Sequence, residues 1–140
     1  MKRFAILLVA VVVVFEITYG LKGVDMTEKD KRIDYIEFPA VDLTEAKSFY
    51  GEVFGWKFVD YGPEYTSFND GRTDGGFRKE QTVRQGGPLV IIYSINLELI
   101  RESVKEAGGK IVKDIFEFPG GRRFHFLDPS GNELAVWSDK

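Results

Sequence analysis

Hydrophobic and polar positions change their spacing several times between residues 33 and 78, and each change predicts a new element. Apolar and aromatic side chains dominate residues 33–40, which predicts a strand. From Asp42 to Gly55 the apolar side chains return every three or four positions, as in an amphipathic helix. Asp42, three residues before Glu45, has the spacing of a capping box, and Gly55 suits a helix end. Three short strand-like segments separated by turns follow, at 56–59, 65–68 and around 75–77.

The second half of the chain repeats this order. An apolar run over 88–95 predicts a strand, and Asn96 suits the N-cap of a second helix that ends at Gly108-Gly109. Strand-like segments then occupy 110–118, 122–127 and 133–137. The order strand-helix-strand-strand-strand, found twice, indicates an internal duplication of about 50 residues and an α+β fold class.

The duplication predicts two βαβββ modules, at about 33–78 and 88–137, with polar residues 81–87 between them. We expect them to form a curved eight-stranded sheet around a concave trough, with the helices outside. Successive side chains of a strand point to opposite faces, so residues between the packing positions should face the trough. This reasoning assigns six side chains to the trough: Tyr35, Glu37, Arg123, His125, Glu133 and Trp137. A slip of one residue would reverse each assignment.

The first twenty residues follow a different pattern. Lys2 and Arg3 precede an unbroken apolar run from Phe4 to Phe15. A basic start followed by a short apolar run is typical of a secretory signal, whereas a spanning helix needs about 20 apolar residues. We therefore expect residues 1–20 to be a signal-like or membrane-anchor segment, which implies an exported or membrane-associated protein.

Two alternatives for the N-terminus remain open. Translation could begin at Met26, which would leave a cytoplasmic protein, or the apolar run could be a strand of the core. In each case residues 21–32 are polar and lack an apolar period, so they predict a linker. Residues 33–140 then form a single domain.

Composition and charge exclude several classes of function. The chain has no Cys and one His, which excludes disulfides, thiolate metal sites, a cysteine nucleophile and any site with two histidines. The net charge of −3 and the isoelectric point near 5.3 argue against a nucleic-acid partner, because phosphate binding needs a cationic surface.

Two motifs accompany the duplicated pattern. The first is Asp42-Leu43-x-x-Ala46-x-x-Phe49-Tyr50 running into Phe54-Gly55-Trp56, and the second is Phe126-Leu127-Asp128-Pro129-Ser130-Gly131-Asn132. With them, the stretch from about Ile33 to Trp137 resembles the vicinal oxygen chelate superfamily of glyoxalase I, bleomycin-resistance proteins, fosfomycin-resistance enzymes and extradiol dioxygenases. It is most similar to a small glyoxalase-like branch that has no settled reaction.

The resemblance also implies where a metal would be bound. In the enzymatic members the ligands lie at four positions, which correspond here to Tyr35, the 75–77 region, Leu89 or Val90, and Ala135. A phenol titrates at roughly pH 10 and binds divalent metals poorly near neutrality, and glycine and aliphatic side chains have no donor atom. We therefore expect no metal site and no cofactor, which argues against the superfamily's metal-dependent activities.

The predicted function is the binding of a small, partly hydrophobic molecule in the trough, without a metal. Tyr35 and Trp137 would supply apolar area, and the ligand would present a hydrogen-bond donor or a positive group to the carboxylates. The alternative is a lyase- or isomerase-type enzyme that uses Glu37, Glu133 or His125 as acid or base.

Each of these residues also has a structural interpretation. His125 could simply form structural hydrogen bonds in its strand, and the glutamates could meet solvent or pair with Arg122 or Arg123. We also expect a homodimer, since proteins of the resembled superfamily usually pair and the trough of one chain would be open along one side.

Overall fold

The computed structural model describes residue 31 and residues 33–140. The chain divides into a unit of residues 1–31 and a unit of residues 32–140. The expected signal or anchor segment, 1–20, lies outside the described residues, as does the linker apart from Lys31. No helix in the described part of the chain is long and apolar enough to cross a membrane.

The described elements follow the duplicated order that the sequence predicts. The first module contains β1 (Tyr35–Ala40), α1 (Leu43–Phe54), β2 (Lys57–Asp60), β3 (Tyr65–Asn69) and β4 (Asp74–Lys79). The second contains β5 (Val90–Tyr93), α2 (Leu97–Glu106), β6 (Lys110–Phe118), β7 (Gly121–Leu127) and β8 (Glu133–Ser138). The α+β class and the two βαβββ modules are therefore confirmed.

Hydrogen bonding divides the eight strands equally between two sheets. The N-sheet has the order β1-β4-β3-β2 and the C-sheet has the order β5-β8-β7-β6. In each sheet the first strand pairs in parallel with the last strand of its module, and the other described pairs are antiparallel. The strands predicted as one curved sheet are thus two four-stranded ladders, with β1 and β5 as edge strands.

Both helices begin at the residues that the sequence indicates. The Asp42 carboxylate accepts a hydrogen bond from the Glu45 backbone N–H at 2.9 Å, and the Asn96 side-chain oxygen accepts one from Leu99 N–H at 3.0 Å. Gly55 closes α1 with a φ of 71°, the left-handed conformation in which glycine carries no steric penalty.

One hydrophobic core joins the two modules. The Phe49 ring of α1 lies 5.9 Å from the Phe126 ring of β7, so the first helix packs on the second module as well as on its own. The fully buried residues from both modules form one cluster with Phe38, Phe77, Val104, Phe124, Leu134 and Val136 among its members. Apart from Val104 of α2, the side chains named here come from the helix-facing sides of the two sheets. The opposite sheet faces are therefore free to carry polar groups.

Candidate functional site

The three strands that carry the candidate residues alternate as the sequence predicts. In β1, Phe38 and Ala40 are buried in the core, so Tyr35 and Glu37 lie on the other face. In β7 and β8, the core positions are Phe124, Phe126, Leu134 and Val136. The four remaining candidates, Arg123, His125, Glu133 and Trp137, therefore lie on the face of the C-sheet that points away from the core. The predicted strand faces are correct.

Tyr35 and Glu37 belong to a hydrogen-bonded group on the N-sheet. The Tyr35 and Tyr65 hydroxyls lie 2.7 Å apart, and Arg78 donates from Nη1 to Glu37 Oε1 at 3.0 Å. Burial raises the pKa of Tyr65, and the hydrogen bond with Tyr35 and the nearby Glu37 carboxylate add to the increase. Gly76 lies beneath the two rings, where a Cβ would collide with the Tyr65 hydroxyl. The tyrosine pair thus depends on the absence of a side chain at this position.

The other four candidates form a second group, on the C-sheet. His125 Nδ1 lies 2.9 Å from Glu133 Oε1, so the glutamate sets the orientation of the imidazole ring. The Arg123 guanidinium carbon lies 5.2 Å and 5.4 Å from the ring centres of Phe116 and Phe118. These distances allow cation–π attraction on both sides. The Phe118 ring is in turn 6.2 Å from the Trp137 ring.

Two nitrogen atoms of the second group are buried without a hydrogen-bond partner among the described residues. They are Arg123 Nε and His125 Nε2. The His125 side chain is 12% exposed. Buried polar atoms in proteins are nearly always hydrogen-bonded, so two such atoms on one sheet face are unusual.

A cavity of about 240 Å³ is lined by Arg123 together with Ile91, Phe118 and Trp137. A wider cleft of about 840 Å³ runs between the modules, from Trp56 and Phe68 on one side to β5 on the other. Ile91 and Trp137 line both spaces, so the small cavity and the cleft meet at these side chains. The cleft alone has a volume within the usual range of small-molecule sites, whereas the small cavity is below that range.

The structure does not place all six candidates in one cavity. A third cavity, of about 350 Å³, is lined by Glu37 and Glu133 together with residues 84–90. It excludes Tyr35, Arg123, His125 and Trp137, and no hydrogen bond, ion pair or ring contact within residues 33–140 joins the two groups. Glu37 and Glu133 thus line one cavity, although they belong to different sheets, and Tyr35 lies apart from the group at Arg123.

The carboxylates have partners other than those considered from the sequence. Glu37 pairs with Arg78 and Glu133 with His125, whereas Arg122 pairs with Glu98. Sequence reasoning missed Tyr65, Arg78, Phe116 and Phe118. The alternation of β3 and β4 could have found the first two, since Phe68 and Phe77 mark the core face of those strands.

The positions that correspond to the superfamily's metal ligands do not fit a metal. The Tyr35 hydroxyl is engaged with Tyr65, Gly75 and Gly76 have no side chain, and Val90 and Ala135 are aliphatic. Within residues 31 and 33–140 there is no group of three or more His, Asp or Glu side chains placed to hold a metal ion.

Comparison with known proteins places the chain in the superfamily that its motifs resemble. The family model of the Glyoxalase/Bleomycin resistance protein/Dioxygenase superfamily matches residues 32–136. A glyoxylase-like domain-containing protein of Didymella fabae is 30% identical over 117 residues, which cover 75% of this chain and 91% of that protein.

Solved structures of this superfamily share the fold. A family enzyme from Burkholderia phytofirmans PsJN has a TM-score of 0.68 at 17% identity and covers 76% of this chain and 98% of its own. A mutant of the fosfomycin-resistance protein FosX of Listeria monocytogenes, complexed with Mn(II), has a TM-score of 0.68 at 14% identity, covering 76% and 89%. The chain described here belongs to the glyoxalase/bleomycin-resistance/dioxygenase superfamily.

Proposed function

We propose that this protein binds a small, partly hydrophobic molecule on the exposed face of the C-sheet, without a bound metal. The observation that carries the proposal is the apolar cavity walled by Ile91, Phe118 and Trp137, which also has the Arg123 side chain in its lining. A site with apolar walls and a few polar groups is typical of small-molecule binding. The cleft that continues past Ile91 would accommodate the rest of an apolar ligand.

The metal-free part of the proposal rests on the chemistry of four positions. The Listeria protein is described with Mn(II). In this chain the four positions that the superfamily resemblance assigns to metal ligands carry a phenol, glycines and aliphatic side chains. Dialysis of the purified protein against Zn²⁺ or Mn²⁺, followed by elemental analysis, tests this. We expect far less than one retained ion per chain, and one tightly held ion per chain would refute the metal-free proposal.

A ligand screen with matched variants tests the binding site. Small apolar compounds that raise the unfolding temperature of the protein should lose most of this effect in Trp137→Leu, because that ring forms a wall of both spaces. Tyr61→Leu is the control, since Tyr61 is 64% exposed and lies in the other module. If a ligand raises the unfolding temperature of the two variants equally, its site does not include Trp137.

A second candidate function is favoured by the His125–Glu133 pair. A carboxylate that holds one imidazole nitrogen and leaves the other without a partner is the arrangement of a general base, although here that second nitrogen is buried and would need a local opening to reach a substrate. In a lyase- or isomerase-type reaction His125 Nε2 would take a proton from the substrate, and Glu133 would position the ring. Turnover of a bound compound that disappears in His125→Ala and falls in Glu133→Ala would favour the enzyme, whereas unchanged turnover would exclude this pair. Glu37, the third acid–base candidate, is ion-paired with Arg78 on the other sheet.

Two further proposals concern the whole protein. We propose that residues 1–20 direct export or membrane attachment, which the basic start and the apolar run support. Mass determination of the N-terminus in fractionated cells tests this, because a protein that begins at Met26 in the soluble fraction would contradict it. We also propose a homodimer, and its test is argued in the Discussion.

A further inference from the structure

The charges on the C-sheet face differ from those that the sequence suggested. Glu133 is engaged by His125, whereas the cations Lys113 and Arg123 have no carboxylate partner among the described residues. The Lys113 ammonium lies 3.9 Å from the centre of the Phe116 ring, and Arg123 lies over the same ring at 5.2 Å. Glu133 and Asp139, which accepts a hydrogen bond from Tyr93, are the carboxylates nearby, but neither forms an ion pair with Arg123.

We propose that the cavity at Arg123 binds a flat aromatic or apolar carboxylate, with the carboxylate beside the part of the Arg123 side chain that lines the cavity and the ring against Trp137 and Phe118. This inference rests on the proposed binding function and names its ligand class. It replaces the donor or cation expected from the sequence with an anion. Glu37 and Glu133, the carboxylates that such a group would have met, are both paired.

The hydrogen-bonding state of Arg123 supports an anionic oxygen rather than a neutral one. Phe116 and Phe118 offer the guanidinium π-electron density but no hydrogen-bond acceptor, so the buried Nε–H remains unsatisfied. An unpaired buried donor on a charged group is costly, and a hydrogen bond between charged partners is stronger than a neutral one. Arg123 Nε itself is inaccessible, so a ligand carboxylate would meet the part of Arg123 that lines the cavity and supply the opposite charge there.

The shape of the cavity favours a carboxylate over a phosphate. Its wall is formed by Ile91, Phe118 and Trp137, and Arg123 is its only charged member. A carboxylate is planar and carries one charge, which matches one guanidinium edge, whereas a phosphate carries more charge and is more strongly hydrated. The volume of about 240 Å³ accommodates a small aromatic ring beside that edge.

A set of naphthalene derivatives tests the proposal, with 2-naphthoate, 2-naphthalenemethanol, 2-naphthylmethylamine and 2-naphthyl phosphate as probes. Affinity is measured by calorimetry, and the ¹⁵N–¹H signal of Arg123 Nε reports the contact directly. We expect naphthoate to bind most tightly and to shift this signal. The substitution Arg123→Met should lower the affinity for 2-naphthoate by about tenfold to a hundredfold and leave the affinity for 2-naphthalenemethanol nearly unchanged.

Two control variants accompany this test. Arg101→Met removes the same side chain from α2, where Arg101 pairs with Glu102 and Asp114, and should leave every probe unaffected. Arg123→Lys keeps the charge but loses the planar guanidinium, so it should lower the affinity for 2-naphthoate less than Arg123→Met does. It replaces Arg123→Met in the test if that variant does not fold.

The possible results separate this inference from the proposed function. Equal affinities of the alcohol and the acid, both insensitive to Arg123→Met, would overturn the anion inference and leave small-molecule binding intact. Tighter binding of the phosphate or the amine would also overturn the carboxylate class. Failure of all four probes at millimolar concentration, with no shift of the Arg123 signal, would count against both.

Discussion

Four hydrogen bonds converge on the carboxylate of Asp128, at the junction between the two modules. The donors are the backbone N–H groups of Ser130 and Asn132, the Asn132 amide and the Tyr50 hydroxyl. The Asn132 amide also donates to the Pro39 carbonyl of β1 at 2.8 Å. This single residue therefore shapes the turn before β8 and links it to α1 and, through Asn132, to β1.

We expect Asp128→Ala to lower the free energy of unfolding by about 3 kcal/mol, since it leaves several buried donors without an acceptor. Tyr50→Phe should lower the free energy of unfolding by only about 1 kcal/mol. It removes one of the four hydrogen bonds, the 2.9 Å bond from the Tyr50 hydroxyl, and leaves the turn intact. Urea unfolding of the two variants measures both values. Equal costs would show that the backbone bonds of the turn contribute little.

The same residue predicts a dependence of stability on pH. Burial is the largest influence and raises the pKa of Asp128 above its usual 3.8, although hydrogen bonds from Asn132 and Tyr50 act in the opposite direction. The unfolded chain therefore releases this proton at a lower pH than the folded chain does. The contribution of Asp128 to stability is complete below about pH 4, and it is lost as the pH rises through the raised pKa of the folded protein.

Asp128→Asn isolates this effect, because it cannot titrate at this position while the other acids remain. The unfolding free energy of the wild type minus that of the variant should fall as the pH rises from about 4 and then level off. Unfolding curves measured between pH 3 and pH 8 give this difference. A difference that grows with pH would mean that the folded protein favours the ionised form.

At the scale of elements, helix ends and strand faces could be predicted from the sequence because both depend on local chemistry. Asp42 and Asn96 cap their helices as their spacing indicates, and the alternation around Phe38 assigned the faces of β1 correctly. The length of β5 was less predictable. Its apolar run extends over 88–95, but only Val90–Tyr93 pairs with β8.

The partners of the site residues depend on contacts between distant parts of the chain. Arg78 reaches Glu37 across a parallel pair of strands 41 residues apart in sequence, and the Phe116 ring reaches Arg123 only through a register shift in the β6–β7 pair. The alternating pattern indicates which face a residue occupies, but it does not indicate which strands are neighbours. For the same reason, the division of the candidates between two sheets could not be predicted.

The N-cap of α1 provides a test at the element scale. Asp42→Ala removes the acceptor for the Glu45 N–H and should lower the free energy of unfolding by about 1 kcal/mol. Asp42→Asn and Asp42→Ser keep an acceptor oxygen and should recover most of this loss. Thermal unfolding of the three variants measures the effect. Equal destabilisation by all three would show that the charge of Asp42 matters more than its hydrogen bond.

At the scale of the whole molecule, the two sheets have four edge strands, and two of them, β2 and β6, carry several charged side chains. β1 and β5 each pair with one neighbour only within the described residues, and Ile91 and Tyr93 of β5 are 45% and 48% exposed. Proteins commonly protect a free sheet edge with charges, with proline or with a partner. Pro39 lies in β1, whereas the four residues of β5 are all apolar or aromatic. The unprotected edge is therefore in the second module.

We accordingly expect the homodimer to depend on β5. Sedimentation of the purified chain at micromolar concentration should give twice the mass of 15.9 kDa, and Ile91→Lys should shift it towards the monomer, because a buried lysine at the edge would lack a partner. Leu99→Lys is the matched control, since Leu99 is 61% exposed on α2 and should leave the mass unchanged. A monomeric wild type would contradict the dimer. A dimer that tolerates Ile91→Lys but dissociates with Leu99→Lys would place the interface on the helix instead of on the strand.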